Sequence, residues 1–397
     1  MRFRRVDIGS SIVVCVDHSM KFRALFGFFA RLTIASLCLA TGIAVGASSV
    51  FADMPGGKRG FEAMTQNMYF GASTDPVLSL DPAEPDYVSR LVTAVTGVYY
   101  EIVASQPNPR AKAVAASIAA RMPDIVALQE AAVVRIQSPG DLATGGEEPA
   151  KTIVFDQIRA VLDELASRGA HYRVAVAVDE FDVELPMLNF ENGTFDDVRL
   201  TDREAILVRT DLPPGQFRVA NPQTGHFTKL IPLPALNKNL LRGWSSVDVF
   251  TRGETFRFIC VHLEEETAPQ LQVLQAEELL AGPAASKMPV VIAGDFNADP
   301  LHRDGSVAFD TFRAAGFTDT WTALNPKDAT GGLTWGHDEL LAYPTVAFDR
   351  RIDLVLFRGR SLAPESVGVT DVTLGRSEPP LWASDHAGLA VEFGFRR

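Results

Sequence analysis

Several polar residues of this 397-residue chain lie at or near the ends of apolar runs, where their chemistry could be concentrated. A buried carboxylate costs free energy unless it is paired or bound to a cation, so acidic residues at such positions favour a cation site. The oxygen-bearing members of the set suit Mg²⁺, Mn²⁺ or Ca²⁺ rather than zinc, and two histidines could transfer protons beside the ion. In chain order the residues are Asn67, Glu130, His262, Asp295, Asn297, Asp353, Asp385 and His386.

Each of these residues, taken alone, also has an ordinary structural explanation. Asp295 and Asn297 in "GDFNADP" could form a turn or cap a helix. His262, near the end of "FRFICVHL", could be a core histidine whose hydrogen bonds are satisfied. Asp385 and His386 in "ASDHAGLAVEF" could form a turn before a buried strand. The choice between structure and chemistry therefore depends on whether the predicted elements bring these positions together.

The rest of the sequence predicts alternating helices and strands that could do so. "NPRAKAVAASIAARMP" predicts a helix with Asn108 as its N-cap and Pro109 at its first position. Two further helices are expected over 155–169 and 267–283. Apolar runs predict strands, and polar stretches predict long surface loops over 133–150, 179–201 and 322–349. At least eight strands and four helices without a long linker predict one α/β domain built on substantial sheets.

Six short motifs, in their order along the chain, resemble those of the endonuclease/exonuclease/phosphatase superfamily, the deoxyribonuclease I-like metal-dependent phosphohydrolases. The resemblance covers nearly all of residues 61–395. It implies an α/β four-layer sandwich, in which two mixed β-sheets pack face to face between outer layers of helices. The motifs are "TQN" at 65–67, "DIVALQE" at 124–130, "VHL" at 261–263, "GDFN" at 294–297, "RIDLVL" at 351–356 and "SDH" at 384–386.

The resemblance also implies a divalent-metal site. Glu130 matches the metal-binding glutamate of the family, Asn67 lies beside it and helps to hold metal or phosphate, and Asp385 is a metal-site or supporting carboxylate. The expected cofactor is Mg²⁺, or else Mn²⁺ or Ca²⁺, with one or two ions in the site. Such an ion would neutralise the charge of a phosphate ester under attack.

The resemblance also implies roles in the hydrolysis reaction for the remaining matching residues. Asp295 and Asn297 would orient the attacking water and contact the scissile phosphate, and His262 would contact a phosphate oxygen or assist the leaving group. His386 would be the general base, oriented by Asp353, because an imidazole fixed through one nitrogen can accept a proton on the other. The implied activity is metal-dependent hydrolysis of phosphoric esters, with a phosphodiesterase or nuclease as the leading interpretation.

Two other histidine environments stay open on the sequence. Asp202 and Glu204 are candidates to pair with His262, but they could equally belong to a solvated charge cluster with nearby arginines. His337, followed by Asp338, lies in a loop that could line the cleft or could be plain surface.

The choice of substrate depends on loops that the motifs do not cover. Without residues 1–52 the chain has 31 Lys and Arg against 47 Asp and Glu, a net charge of −16. This charge argues against nucleic-acid binding through basic patches, although acidic nucleases exist in the superfamily. Nucleic acid, a lipid headgroup and a small phosphodiester therefore all stay candidate partners. A sphingomyelinase- or phospholipase C-like enzyme would need exposed apolar loops, for which 340–348 is the candidate, and a non-catalytic binding module of the same fold is a further alternative.

Residues 1–52 have the composition of a signal peptide, with basic residues before the apolar stretch "LTIASLCLATGIAVGASSVFA". Cleavage is expected after Ala52, Met20 is an alternative start, and an uncleaved membrane anchor is the alternative interpretation. We expect residues 53–397 to form a monomeric endonuclease/exonuclease/phosphatase domain that is secreted or periplasmic and not inserted in a membrane. Within 53–397, Cys260 is the one cysteine, so no intramolecular disulfide can form.

Overall fold

The computed structural model describes residues 60–345 and 347–396, and the expected signal peptide lies outside these residues. The strands are β1 (Phe61–Asn67), β2 (Ile125–Gln129), β3 (Val133–Gln137), β4 (Thr152–Asp156), β5 (Tyr172–Asn189), β6 (Thr194–Arg209), β7 (Phe217–His226), β8 (Ile231–Leu233), β9 (Lys238–Leu240), β10 (Gly243–Thr251), β11 (Glu254–His262), β12 (Val290–Asp295), β13 (Thr318–Asp319), β14 (Asp353–Arg358), β15 (Leu362–Thr370) and β16 (Gly388–Phe395). The helices are α1 (Asp75–Leu78), α2 (Tyr87–Ala104), α3 (Pro107–Arg121), α4 (Gln157–Ser167), α5 (Pro269–Ala281), α6 (Ala308–Ala314) and α7 (Thr320–Leu324).

The strands form two large mixed sheets and one small hairpin. The first sheet has eight strands in the order β15-β16-β1-β2-β6-β3-β4, with β5 also paired to β6. The second sheet has six strands in the order β13-β14-β12-β11-β10-β7, and β8 pairs with β9 alone. Within the described part of the chain, no helix is long and apolar enough to cross a bilayer.

The main core lies between the two large sheets. Phe61 and Ile125 of the first sheet pack with Phe256, Phe258 and Val355 of the second, and all five are almost completely buried. Full burial of such a side chain contributes about 1.5–3 kcal/mol relative to exposure. Outer clusters join α3 and α4 to the first sheet and α5 and α6 to the second. The structure therefore confirms the four-layer sandwich.

The register of the sheets explains why polar residues collect at one place. β1 and β2 are parallel, with Asn67 beside Gln129, so Glu130 follows at the same edge. In the second sheet His262 of β11 lies beside Asp295 of β12, which lies beside Asp353 of antiparallel β14. Apolar interiors with polar ends therefore place the chemistry on the strand ends of both sheets.

Several predicted boundaries were wrong. Residues 179–201 are not a loop but the outer part of the long β5–β6 hairpin, and 133–150 includes strand β3. The alternation of Phe181, Val183 and Leu185 with polar residues is a strand pattern, because one face of this hairpin is buried and the other is solvated. α3 begins at Pro107 rather than after an Asn108 cap, and α2 was missed altogether.

Candidate active site

His386 and Asp353 form a hydrogen-bonded pair at the bottom of the site. His386 Nδ1 lies 2.9 Å from Asp353 Oδ2, and Asp353 is completely buried at the start of β14. The Asp353 amide donates to Thr334 Oγ1 at 3.1 Å, which fixes the start of the strand. Burial alone would lower the pKa of His386, but the carboxylates of Asp353, Asp385 and Asp295 raise it well above its usual value. The carboxylate thus holds the imidazole in one orientation, with Nε2 free to act.

Asp295 lies between the two imidazoles. Its Oδ2 is 3.7 Å from His262 Nε2 and 3.7 Å from His386 Nε2. Asn67 Nδ2 donates to the same oxygen at 3.1 Å, and the backbone amide of Asn297 donates to Oδ1 at 2.8 Å. Burial raises the pKa of Asp295 to about 7, an effect that His386 opposes. A carboxylate so placed can orient a small polar molecule between two histidines.

Glu130 and Asp385 form a second carboxylate group at the same edge. Burial, together with the nearby charge of Asp385, raises the pKa of Glu130 to about 8, and a hydrogen bond from Asn67 opposes the shift. Burial likewise raises the pKa of Asp385, although His386 and Arg110 lower it. Carboxylates that are costly to ionise side by side gain stability from a bound cation.

Asn67 connects the two carboxylate groups. Its Nδ2 donates to Glu130 Oε1 at 3.0 Å as well as to Asp295, while its Oδ1 accepts from the Tyr69 amide at 2.9 Å. Because a backbone amide can only donate, this contact sets the orientation of the side-chain amide. Asn67 therefore holds Glu130 and Asp295 in place through its nitrogen, and direct ligation of a metal by its oxygen stays a prediction.

The backbone at the site is held in an uncommon conformation. Glu130 and Asn297 both have positive φ, at 50° and 46°, and Tyr69 has φ 49°. Asparagine tolerates the left-handed region, whereas glutamate and tyrosine occupy it at a cost of about 1–3 kcal/mol each. Such strain persists where the surrounding contacts fix the side chains, as the hydrogen bonds of Asn67 do here.

His262 is the most enclosed histidine of the site. Asn297 Nδ2 lies 3.2 Å from His262 Nε2, and Arg242 approaches within 3.0 Å of His262 Nδ1. Burial lowers the pKa of His262 well below its usual value, and the positive charge of Arg242 adds to this effect. Both effects favour the neutral imidazole, which can accept a hydrogen bond. Glu204 Oε1 lies 3.3 Å from its Nδ1, and Glu204 is completely buried, so the solvated-cluster interpretation was wrong for Glu204.

Two arginines that the sequence did not single out contact the site. Arg242 follows the β8–β9 hairpin and also lies 3.6 Å from Glu264 and 3.8 Å from Glu265. Arg110 of α3 is fully buried and donates to the carbonyls of Met68, Tyr69 and Ala383 at 2.8–3.0 Å. It thereby ties the turn after Asn67 to the turn before Asp385. An arginine directly before an apolar strand was a signal for Arg242, but nothing in the sequence distinguishes Arg110 from other helix arginines.

The site opens into a cleft of about 410 Å³. Glu130, His262, Asp295, Asn297, Asp385 and His386 all line it, so the structure brings together six of the eight predicted residues at its surface. Asn67 and Asp353 lie behind them. His337 does not line the cleft, because it is buried, stacks on Trp382 at 4.2 Å and lies 2.9 Å from Asp371.

The ligand atoms of Asp295, Asp353 and His386 lie within 4.8 Å of one another, close enough for a metal ion. This group differs from the predicted metal residues Asn67, Glu130 and Asp385. An ion on Asp353 and His386 would have to displace their 2.9 Å hydrogen bond. Glu130 and Asp385 instead offer carboxylate oxygens to the cleft without breaking that pair, which is the donor set that a hard cation such as Mg²⁺ prefers. The residues present therefore fit a divalent ion.

Two facing mixed sheets with carboxylates, histidines and asparagines at their strand ends are the deoxyribonuclease I-like arrangement that the six motifs implied. The sequence matches the model of the Endonuclease/Exonuclease/phosphatase family over residues 64–386, and the chain belongs to that family. Its members are phosphoester hydrolases. The resemblance that the six motifs indicated is thus confirmed.

The chain is also similar to solved structures of low sequence identity. An endonuclease/exonuclease/phosphatase family protein from Leptotrichia buccalis is 13% identical, with 84% of this chain and 100% of that chain covered at a TM-score of 0.50. A Bacteroides thetaiotaomicron mannosyl-6-phosphatase is 17% identical, with 84% of this chain and 100% of that chain covered and a TM-score of 0.49. The human nocturnin catalytic domain with bound sulfate is 16% identical, with 85% of this chain and 94% of that chain covered and a TM-score of 0.47. No curated protein matches the chain by sequence.

Proposed function

We propose that this protein hydrolyses a phosphodiester with the help of a divalent cation. The observation that carries the proposal is the buried Asp353–His386 pair, whose free Nε2 lies 3.7 Å from Asp295 in a cleft that also contains Glu130. A base, a carboxylate that orients water and a cation site within one cleft are the parts that this reaction needs.

The water is activated by His386. Asp353 holds Nδ1, so Nε2 of the unprotonated imidazole accepts a proton from a water that Asp295 orients. The remaining hydroxide oxygen bonds to phosphorus, and one P–O bond of the ester breaks. The departing oxygen takes up a proton from solvent water, and His386 returns its proton to solvent. Each step uses a group that the contacts in the site already fix in position, and positioning with electrostatics accounts for most of such catalysis.

The cation would be held by Glu130 and Asp385, with Asn67 supporting Glu130. When bound, a divalent ion supplies charge neutralisation to the phosphate and to the departing oxygen. Burial raises the pKa of both carboxyls, and this supports the assignment because a bound cation would favour their ionised forms. Mg²⁺ is the first candidate, and Mn²⁺ and Ca²⁺ are the others.

Phosphate oxygens would be contacted by Asn297, His262 and Arg242. The three side chains are joined by the contacts between Asn297, His262 and the guanidinium, and all three line the cleft. A neutral His262 that faces a cation can donate or accept a hydrogen bond without adding charge. Arg242 supplies the positive charge beside it, which suits a phosphate anion.

Hydrolysis of bis-p-nitrophenyl phosphate tests the proposal directly. The purified protein is assayed with Mg²⁺, Mn²⁺, Ca²⁺ or EDTA, beside His386→Ala and the matched control His302→Ala. His302 also has an aspartate partner, with Nε2 3.4 Å from Asp310, but it lies outside the cleft. We expect metal-dependent turnover that His386→Ala lowers at least 10³-fold and His302→Ala preserves. Turnover that survives both EDTA and His386→Ala would contradict the proposal.

We also propose that residues 1–52 direct export and are removed, which would place the enzyme in the periplasm or outside the cell. The proposal rests on the basic and apolar composition of this stretch. Mass spectrometry of the protein recovered from the exported fraction should give an N-terminus at residue 53. An intact N-terminus in the membrane fraction would favour the anchor instead.

A further inference from the structure

The cleft at the candidate site and an apolar cavity share part of their walls. A second cavity of about 60 Å³ lies between α2 and strands β3, β5 and β6, and its lining consists of aliphatic and aromatic side chains with one threonine. Four residues line both spaces: Thr74, Leu78, Phe181 and Leu200. The cavity has room for roughly four water-sized groups, which corresponds to a short alkyl chain or one ring. An empty apolar cavity stays dry and binds apolar groups.

Strand β6 connects this cavity to the proposed phosphate contacts. Leu200, Asp202 and Glu204 share one face of β6, because side chains alternate along a strand. Glu204 contacts His262, so Leu200 lies about 13 Å along the strand from that contact. This distance is within the reach of an alkyl substituent on a phosphate that is bound at His262. One substrate molecule could therefore occupy the phosphate contacts and the cavity together.

The charge of the cleft opposes a polyanionic substrate. Nine carboxylates and two guanidinium groups line it. Arg242 is paired with Glu264, and Arg350 contacts Glu266 at 2.6 Å. A nucleic-acid strand needs cations that follow successive phosphates. A substrate with a single phosphate and an uncharged remainder fits this cleft better.

We propose that the apolar cavity binds an alkyl or acyl substituent of the substrate, so that the enzyme prefers apolar phosphodiesters of the lipid type. This inference rests on the proposed phosphodiesterase function, and it assigns the substituent to the cavity beyond Leu78 and Leu200. The apolar wall and the acidic cleft point to the same substrate class from independent observations.

A chain-length series tests the inference. The purified protein with Mg²⁺ hydrolyses methyl, octyl, decyl and dodecyl 4-nitrophenyl phosphate, and kcat/KM should rise by about fourfold per methylene that enters the cavity. Leu78→Phe, on the short helix α1, narrows the opening and should lower the dodecyl-to-methyl ratio of kcat/KM at least tenfold. Leu280→Phe is the matched control, a half-buried leucine on α5, and should leave that ratio unchanged.

A second set of substrates distinguishes a dispersed lipid from a lipid in a bilayer as the natural source of the substituent. Dispersed dihexanoyl phosphatidylcholine, vesicles of long-chain phosphatidylcholine or sphingomyelin, and plasmid DNA are compared at equal phosphate concentration. Cleavage of either lipid form above DNA supports the inference, and the faster form identifies a soluble or a bilayer source. A flat chain-length series, or DNA as the best substrate, overturns the inference while the proposed function stands. Absence of turnover on every ester of the series with every metal overturns the proposed function itself.

Discussion

Arg110 is the residue whose replacement separates positioning of the site from stability of the fold. Its guanidinium lies outside the cleft but joins the two turns that carry Asn67 and His386. Substitution by lysine keeps the charge but cannot reach carbonyls on both turns at once, because an ammonium group lacks the planar fork of donors. We therefore expect Arg110→Lys to loosen the relation between the two halves of the active site.

The cost in stability follows from the acceptors that lose their donor. Arg110 donates to the backbone carbonyls of Ser105, Met68, Tyr69 and Ala383. Gln157 Nε2 also donates to the carbonyls of Met68 and Tyr69, at 3.3 and 3.1 Å, so these two acceptors keep a partner. The carbonyl oxygens of Ser105 and Ala383 lose their guanidinium donor, which costs about 1–3 kcal/mol for each buried acceptor left unpaired. Arg110→Lys should lower the free energy of unfolding by about 2–6 kcal/mol.

The cost in activity is expected to be separate from the loss of stability. A displacement of about 1 Å between catalytic groups can lower the rate about 10²-fold. We expect Arg110→Lys to lower kcat by that order in the folded enzyme and to raise the Mg²⁺ concentration at half-maximal rate. Urea unfolding measures the stability, and metal-dependent hydrolysis of bis-p-nitrophenyl phosphate below the unfolding transition measures the activity.

Arg358 supplies the matched control. Its guanidinium also donates to two backbone carbonyls, those of Ala315 and Ala284, but it lies away from the cleft. Arg358→Lys should reduce stability while kcat and the Mg²⁺ dependence stay those of the native protein. Unchanged kcat and Mg²⁺ dependence in folded Arg110→Lys would refute the positioning role and leave Arg110 as a structural residue only.

Three other changes test the site. Asp353→Asn should lower kcat about 10³–10⁴-fold. The same substitution should move the acidic limb of the pH–rate profile to lower pH, because it removes a carboxylate that raises the pKa of His386. An acidic limb that stays at the same pH or moves to higher pH would count against His386 as the base. Glu130→Gln should weaken Mg²⁺ binding in calorimetric titration at least tenfold, and unchanged binding would exclude Glu130 as a ligand. Arg242→Ala should raise KM about tenfold with little change in kcat; a loss confined to kcat would show that Arg242 acts only in the transition state.

The sequence was most informative at the strand ends. Asp295, Asp353 and His262 each terminate or begin an apolar run, and a strand pairing in register places such residues side by side. The order of the motifs identified the family, whereas the strand and helix count alone was compatible with other α/β folds. The positions of Glu130 and His386 in one cleft then follow from the pairing of β1 with both β2 and β16.

The residues that the sequence did not identify are those whose role depends on contacts between distant elements. Arg110 contacts Ala383, 273 positions away, and no local spacing anticipates such a pair. The partner of Glu204 could be assigned only when β6 was known to face β11 of the other sheet, because a glutamate side chain is as compatible with solvent as with His262. The outer part of the β5–β6 hairpin, residues 179–201, was missed because its acidic residues outweighed a clear two-residue alternation. Periodicity was the better indicator there than polarity.

The acidic character of the protein and its proposed phosphate chemistry are compatible because they act at different ranges. The negative surface repels a polyanion at long range, whereas the cation held by Glu130 and Asp385 would attract one phosphate at contact distance. A substrate with a single phosphate is repelled only weakly by the negative surface, and it would be attracted fully by the bound cation. An uncharged apolar substituent would add affinity through burial beyond Leu200, without adding negative charge to the cleft. The charge distribution and the apolar cavity would therefore favour the same kind of molecule, a phosphodiester whose remainder is hydrophobic.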